Sequence, residues 1–175
     1  GPRLDEIANE LAARHRVRAR SLVADLADPE SPETIAKVLA AKAIEVDALV
    51  NKAGIGVFGT FATTDAALEL AMIQVNLVAL TRLTKLVLPG MLARRRGRIL
   101  NVASTAAFQP GPLMAVYYAT KSYVVSFSEA LAEECRGTGV TVTVLCPGPT
   151  LTGFQAGAKM ERSRLVSASW MMSAD

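Results

Sequence analysis

Apolar positions recur at helical spacing from the first residues. Leu4, Ile7, Ala8 and Leu11 alternate with Asp5, Glu6 and Glu10, which predicts an amphipathic helix to about His15. Segment 17–24 reads as a strand that turns continuously apolar only near its end, and Asp25 closes it. A second helix is expected over 31–42, with Ser31 as its cap and Pro32 in the first helical position. Residues 46–51 form a short apolar strand that runs into the turn Asn51-Lys52-Ala53-Gly54. After a Gly-rich loop, a long helix is expected over 65–95, bent or interrupted at Pro89-Gly90. Gly97 ends it, and 98–104 is the next strand. Another long helix covers 116–136 and stops near Gly137 and Gly139. The β-branched run 140–146 is a strand closed by Pro147-Gly148.

Strands alternating with helices imply crossover connections and a parallel sheet with helices on both faces. The strand cores read as apolar throughout, in keeping with that. The fold class is α/β, in one domain spanning 1–175. In such sheets ligands sit at the carboxyl ends of the strands. Here those ends are Asp25, the turn 51–54, Ser104 and the run 146–148, all built from small, polar or turn-forming positions.

Composition narrows the function classes. The chain has 175 residues, 51% hydrophobic and 20% charged, which suits one ordinary globular domain rather than a disordered chain. Nineteen basic residues against 16 acidic ones leave a net charge of +3, too diluted to argue for nucleic acid. The run Arg94-Arg95-Arg96 with Arg98 is explained as cations at a helix C-terminus, without interleaved aromatics for base stacking. Two cysteines and one histidine leave no room for a disulfide framework or a Cys/His zinc site, so a reducing, cytoplasmic setting and no metal are expected. No apolar run approaches the roughly 18 residues of a membrane span, and Arg82 and Lys85 interrupt the richest stretch. No secretory signal pattern precedes the first helix. His15, Cys135 and Cys146 read as a surface histidine and two packing cysteines.

Four residues carry candidate chemistry. Tyr117 and Lys121 lie four apart near the start of one helix and share a face. Ser104 ends a strand, and Asn76 sits in an apolar stretch of the long helix. A phenol titrates near 10 and is a poor acid/base at neutral pH unless a neighbouring ammonium favours its phenolate. A serine hydroxyl beside it could hold or polarise a carbonyl. Tyr118 lacks the spacing to Lys121 and reads as packing.

With Tyr117-Tyr-Ala-Thr-Lys121, Ser104, Asn76, the Asn51-Lys52-Ala53-Gly54 turn, Asp25 and Pro147-Gly148-Pro-Thr-Leu-Thr152 in order, the chain resembles the short-chain dehydrogenase/reductase family. The resemblance implies a doubly wound, mostly parallel, Rossmann-like sheet. It also implies hydride transfer between NADP(H), with NAD(H) as the alternative, and a carbonyl/secondary alcohol pair. By that resemblance Tyr117 is the general acid/base and Ser104 orients the carbonyl. Lys121 holds the nicotinamide ribose and lowers the tyrosine pKa, and Asn76 supports a proton-carrying water. Asp25 and Leu26 would contact adenine, and Asn51, Ala53 and Gly54 the adenosine ribose. Val75 is a further cofactor contact, and Pro147, Gly148, Thr150 and Thr152 would line the nicotinamide. Homodimers or homotetramers through the two long helices are expected, as the family forms them.

The chain also departs from the family. It opens Gly1-Pro2, without the glycine-rich phosphate turn and without the first two strands. It is therefore expected to be part of a longer enzyme, and these residues alone to bind NAD(P)H weakly. A scaffold or binding protein that keeps the site residues without catalysis is the alternative. Lys52 replaces a common Asn and reads as a solvated turn lysine. Residues 151–175 correspond to a substrate-covering loop. There Phe154, Met160, Trp170, Met171 and Met172 read equally as the lining of an apolar pocket or as core.

Overall fold

The structure is a computed structural model that describes residues 1–150 and 153–158. Thr152 and most of the expected substrate-loop region lie outside the described residues. Three strands, β1 (Ala48–Asn51), β2 (Gly97–Val102) and β3 (Val140–Leu145), form one parallel sheet in the order β1-β2-β3. Ala48 pairs with Arg98 and Gly97 with Val140, so the strands run in step to their carboxyl ends. The helices are α1 (Pro2–His15), α2 (Ser31–Ala41), α3 (Ala66–Ile73), α4 (Leu80–Ala93), α5 (Ala115–Glu134) and the single turn α6 (Phe154–Gly157). A π-helical stretch, Gln74–Ala79, joins α3 to α4 into one rod, Ala66–Ala93.

Among the described residues α4 and α5 cover one face of the sheet, and the strands alternate accordingly. Ile99, Asn101 and Val140 are buried beneath the helices, while Arg98, Thr141 and Thr143 point to the open face. The parallel order with helices between the strands is the one expected; no described helix packs on the second face, so these strands alternate rather than read as uniformly apolar. The covered face holds the core: Met91, Ile99, Leu131, Cys135 and Val140 at one end, Leu80, Ala103, Val124 and Val125 at the other. A buried polar chain fixes the elements to one another. Asn51 Nδ2 donates to Thr84 Oγ1 (3.2 Å) and Asn101 Oδ1 (2.9 Å), and Asn101 Nδ2 donates to Ser128 Oγ (2.9 Å). It links β1, α4, β2 and α5, and such a chain is stable only while every member is satisfied.

Several local expectations change. Segment 17–24 is not a strand, and the sheet of the described residues begins at β1, which leaves that segment no neighbour to bond. Helix α1 forms but buries none of its residues, so Leu4, Ile7 and Leu11 remain exposed. Ser31 is the first helical residue rather than the cap, which is Glu30, and its hydroxyl donates to the Asp25 carbonyl (2.6 Å). Pro89 does not end the rod, which continues to Ala93. Only one more turn follows the proline, and packing on the sheet holds it. By length and composition the rod could cross a membrane. In this fold it instead lies on β1 and β2, and its Arg82 pairs with Glu33 of α2 at 2.5 Å.

The arginine run is tied into the fold by specific partners, beyond simple attraction to a helix end. Arg94 donates to the Val46 carbonyl (2.9 Å), Arg95 to the Gly137 carbonyl (3.0 Å), and Arg96 pairs with Asp47 (2.7 Å). These contacts fasten the end of α4 to the approaches of β1 and β3.

Candidate active site

A cleft of about 690 Å³ opens where the three strands end. Its walls include Ser104, Tyr117, Lys121, Gly54, Pro147, Gly148 and Thr150, so the expected catalytic side chains other than Asn76 converge there with part of the expected cofactor set. Ser104 follows β2 and opens a 3₁₀ turn, Thr105–Phe108, where its Oγ accepts from Ala106 N–H (3.1 Å). The backbone amides of Ala103 and Thr105 donate to the carbonyls of Leu145 (2.8 Å) and Pro147 (2.9 Å), which locks this corner to the end of β3. Tyr117 and Lys121 come from the first turns of α5 and face the same cleft.

Asn76 does not line the cleft but lies immediately behind it. Its Oδ1 accepts from Ile55 N–H (2.9 Å), and its Nδ2 donates to the Ile55 carbonyl (3.0 Å) and to Thr120 Oγ1 (3.1 Å). Thr120 Oγ1 in turn donates to the Tyr117 carbonyl (2.7 Å). Asn76 therefore pins the loop after β1 to the turn of α5 that carries Tyr117. It stands within the π-helical stretch, a distortion common at functional sites and one that apolar periodicity does not reveal. The same crowding explains Gly54, where a Cβ would sit 3.3 Å from Asn76 Oδ1 and 3.4 Å from Lys121 Nζ.

Electrostatics correct one implication of the resemblance. Burial pushes the Tyr117 phenol above its ordinary value, its hydrogen bond with Ser104 pulls it partway back, and Tyr118 adds a smaller upward push. Lys121 is not among the groups that lower it. The Lys121 amine donates to the Val102 carbonyl (3.0 Å) and lies 5.7 Å from the centre of the Tyr117 ring. Its own pKa falls to about 8 through burial, against a weaker opposing influence of Cys146. Burial thus sets the direction of the shift, and at neutral pH the phenol keeps its proton.

The Lys121 shift predicts a stability trend. The unfolded chain holds this proton up to the ordinary lysine value of 10.5, whereas the folded protein releases it near 8. Between those values the unfolded state binds more protons, so raising the pH favours folding. Relative to Lys121→Met, the native protein should gain roughly 2–3 kcal/mol across that window and nothing below it. Denaturant unfolding of both proteins across a pH series measures this, and an opposite slope rules out burial as the cause.

Other expected contacts sit elsewhere. Asp25 and Leu26 do not line the cleft, and the Asp25 carboxylate accepts from Ala27 N–H (2.9 Å) within its own turn. Asn51 points inward to the buried polar chain, so its side chain is committed to the fold. Ala53 lies between the cleft residues Lys52 and Gly54 without lining it, and Val75 is buried apart from its lining. Conversely, Lys52, Gly56, Met114, Tyr118 and Phe154 do line it. The phrase Gly54-Ile-Gly56 was a signal for close approach at Gly56, whereas Phe154 lay in a stretch that fitted core equally well.

The family model described as short chain dehydrogenase matches residues 2–163. The human very-long-chain 3-oxoacyl-CoA reductase is 34% identical over 150 residues, covering 83% of this chain and 47% of the relative. The ketoacyl reductase HetN of Nostoc is 37% identical over 125 residues, covering 71% of this chain and 44% of the relative. The chain thus spans about half the length of these curated relatives. Among solved structures, a short-chain dehydrogenase from Sphingobium yanoikuyae in complex with NADPH superposes with a TM-score of 0.89 at 30% identity, over 98% of this chain and 66% of that one. The L-sorbose reductase of Gluconobacter frateurii, complexed with NADPH and L-sorbose, gives 0.81 at 28% identity, over 93% and 63%. Matched by the family model over residues 2–163, the chain belongs to the short chain dehydrogenase family.

Proposed function

We propose that the protein is an NADP(H)-dependent oxidoreductase that reduces a carbonyl to a secondary alcohol, with Tyr117 as its proton donor. The observation that carries this reading is the convergence of Ser104, Tyr117 and Lys121 on one cleft at the carboxyl ends of parallel strands. When bound, a nicotinamide cofactor supplies or accepts a hydride.

The chain's own residues fit one end of such a cofactor. The cleft is floored by the small residues Gly54 and Gly148, and the Lys121 amine beside Gly54 is a donor suited to a ribose hydroxyl. Pro147, Gly148 and Thr150 would flank the ring, with Thr152 following in sequence. Asp25 and Leu26, apart from the cleft, would reach only the adenine end. The NADPH bound in two related structures favours NADP(H) over NAD(H).

In this reading Ser104 holds the substrate oxygen next to the phenol. Tyr117, buried and protonated, releases its proton to that oxygen as negative charge develops there. Lys121, whose amine donates to the Val102 carbonyl beside the cleft, holds the cofactor ribose in this reading. Asn76 keeps the Ile55 loop and the Tyr117 turn in register. The exposed Leu68, Leu70 and Leu86 of the long rod, with Tyr123 of α5, favour self-association through these helices.

The test mixes the protein with NADPH and a panel of ketones and follows the absorbance of the reduced cofactor. Ketone-dependent oxidation supports the enzyme. Cofactor binding without any oxidation supports the non-catalytic scaffold instead.

A further inference from the structure

The ring of Phe154 occupies a particular seat. It lies 5.2 Å from the Tyr117 ring at a tilt of 44°. Its edge also meets the backbone of Gly56, where an added Cβ would come within 2.6 Å of Phe154 Cζ and 3.1 Å of Cε2. Only a hydrogen at position 56 leaves the ring room. Both residues line the cleft, next to Met114 and Tyr118. Of five Phe, three Tyr and one Trp in the chain, Phe58, Tyr117, Tyr118 and Phe154 gather around Met114 and Ala158. The wall beside the phenol is thus aromatic and apolar.

We infer that Gly56 and Phe154 form a steric gate beside Tyr117 that sets the size and apolar character of the group flanking the substrate carbonyl. The inference rests on the oxidoreductase reading for its chemistry, since Tyr117 marks where the carbonyl oxygen lies. A substituent on the carbonyl carbon then lies beside the Phe154 ring, in the aromatic wall it shares with Tyr118. Apolar walls stabilise alkyl and aryl groups there, whereas a polyol would leave its hydroxyls without partners against those rings. The substrate class is therefore a ketone with an apolar flank.

The pair makes opposite predictions for two variants. Phe154→Ala removes the ring and opens the space over Tyr117. Gly56→Ala keeps the ring but displaces it, because the clash falls on the far end of a side chain that can swing, and Gly56 has no positive φ to strain an alanine. Pocket contacts of this size shift discrimination by about tenfold or more. The ratio of kcat/KM for a diaryl ketone over a small aliphatic ketone should rise about tenfold in Phe154→Ala, fall by a similar factor in Gly56→Ala, and stay near the native value in Phe154→Leu. The same proteins are titrated calorimetrically with the diaryl ketone, a readout that needs no turnover, and its affinity should follow the same order. Equal affinities and an unchanged ratio across the series overturn the gate. If no protein oxidises NADPH but the affinities still follow the order, the gate stands and the oxidoreductase reading fails.

Discussion

Tyr117→Phe is expected to reduce turnover by about 10²–10⁴-fold, the usual contribution of a positioned general acid, with cofactor affinity little changed. The substitution removes one hydroxyl and keeps the ring. That ring meets Tyr118 edge-on at 6.0 Å and Phe154 at 5.2 Å, so the aromatic wall survives the change. Folding should lose only the hydrogen bond with Ser104, on the order of 1 kcal/mol. Among the described residues the one other phenol in the cleft is poorly placed to replace it. Tyr118 belongs to the same wall, but its ring packs over Gly111, where even a Cβ would come within 2.2 Å of it, and it lacks Ser104 as a partner. Steady-state rates with calorimetric NADPH binding on native and variant protein separate the two effects. Activity that survives in Tyr117→Phe removes the phenol from the mechanism and, with it, the role given to Ser104.

Gly139→Ala should be the most destabilising small substitution in the described chain. Gly139 joins α5 to β3 with φ of 86°, a conformation that costs an L-residue about 1–2 kcal/mol. The added Cβ would also fall 2.0 Å from the Arg95 carbonyl oxygen and 2.7 Å from its carbon. Both partners are backbone, so no rotamer relieves the clash, and the loop must lift from the end of α4. That movement pulls on the Arg95 bond to the Gly137 carbonyl and on the start of β3, where Val140 is buried in the core. The expected total is about 3–5 kcal/mol, or a fall in Tm on the order of 10 °C. Gly137→Ala is the matched control, because Gly137 also has a positive φ (75°) but nothing within 4 Å of its Cβ position. It should cost only about 1 kcal/mol. Thermal unfolding of both variants decides the matter, and equal losses would show that conformation alone, without the contact to Arg95, sets the cost.

Much of the site was legible before any coordinates, for reasons particular residues make plain. The spacing of Tyr117 and Lys121 needs only helical geometry to put them on one face, and Ser104 and Gly148 end runs that are recognisable as strands. The buried commitment of Asn51 was not legible. Its partners Thr84, Asn101 and Ser128 lie far along the chain, and nothing local distinguishes a turn asparagine from one that bonds inward. The failed strand at 17–24 has the same origin. Its composition permits extension, but a strand exists only where a neighbour accepts its hydrogen bonds, and β1 ends the sheet of the described residues.

Periodicity and spacing by themselves determined the α/β alternation and put Tyr117 and Lys121 on one helix face, because each depends on contacts within a few turns of chain. Among the described residues, tertiary structure alone decided which strand positions are covered, that burial raises the Tyr117 phenol, and that Phe154 rests on Gly56. Those outcomes depend on which distant surfaces exclude water from one another, and desolvation is a property of the assembled neighbourhood rather than of any residue's place in the order.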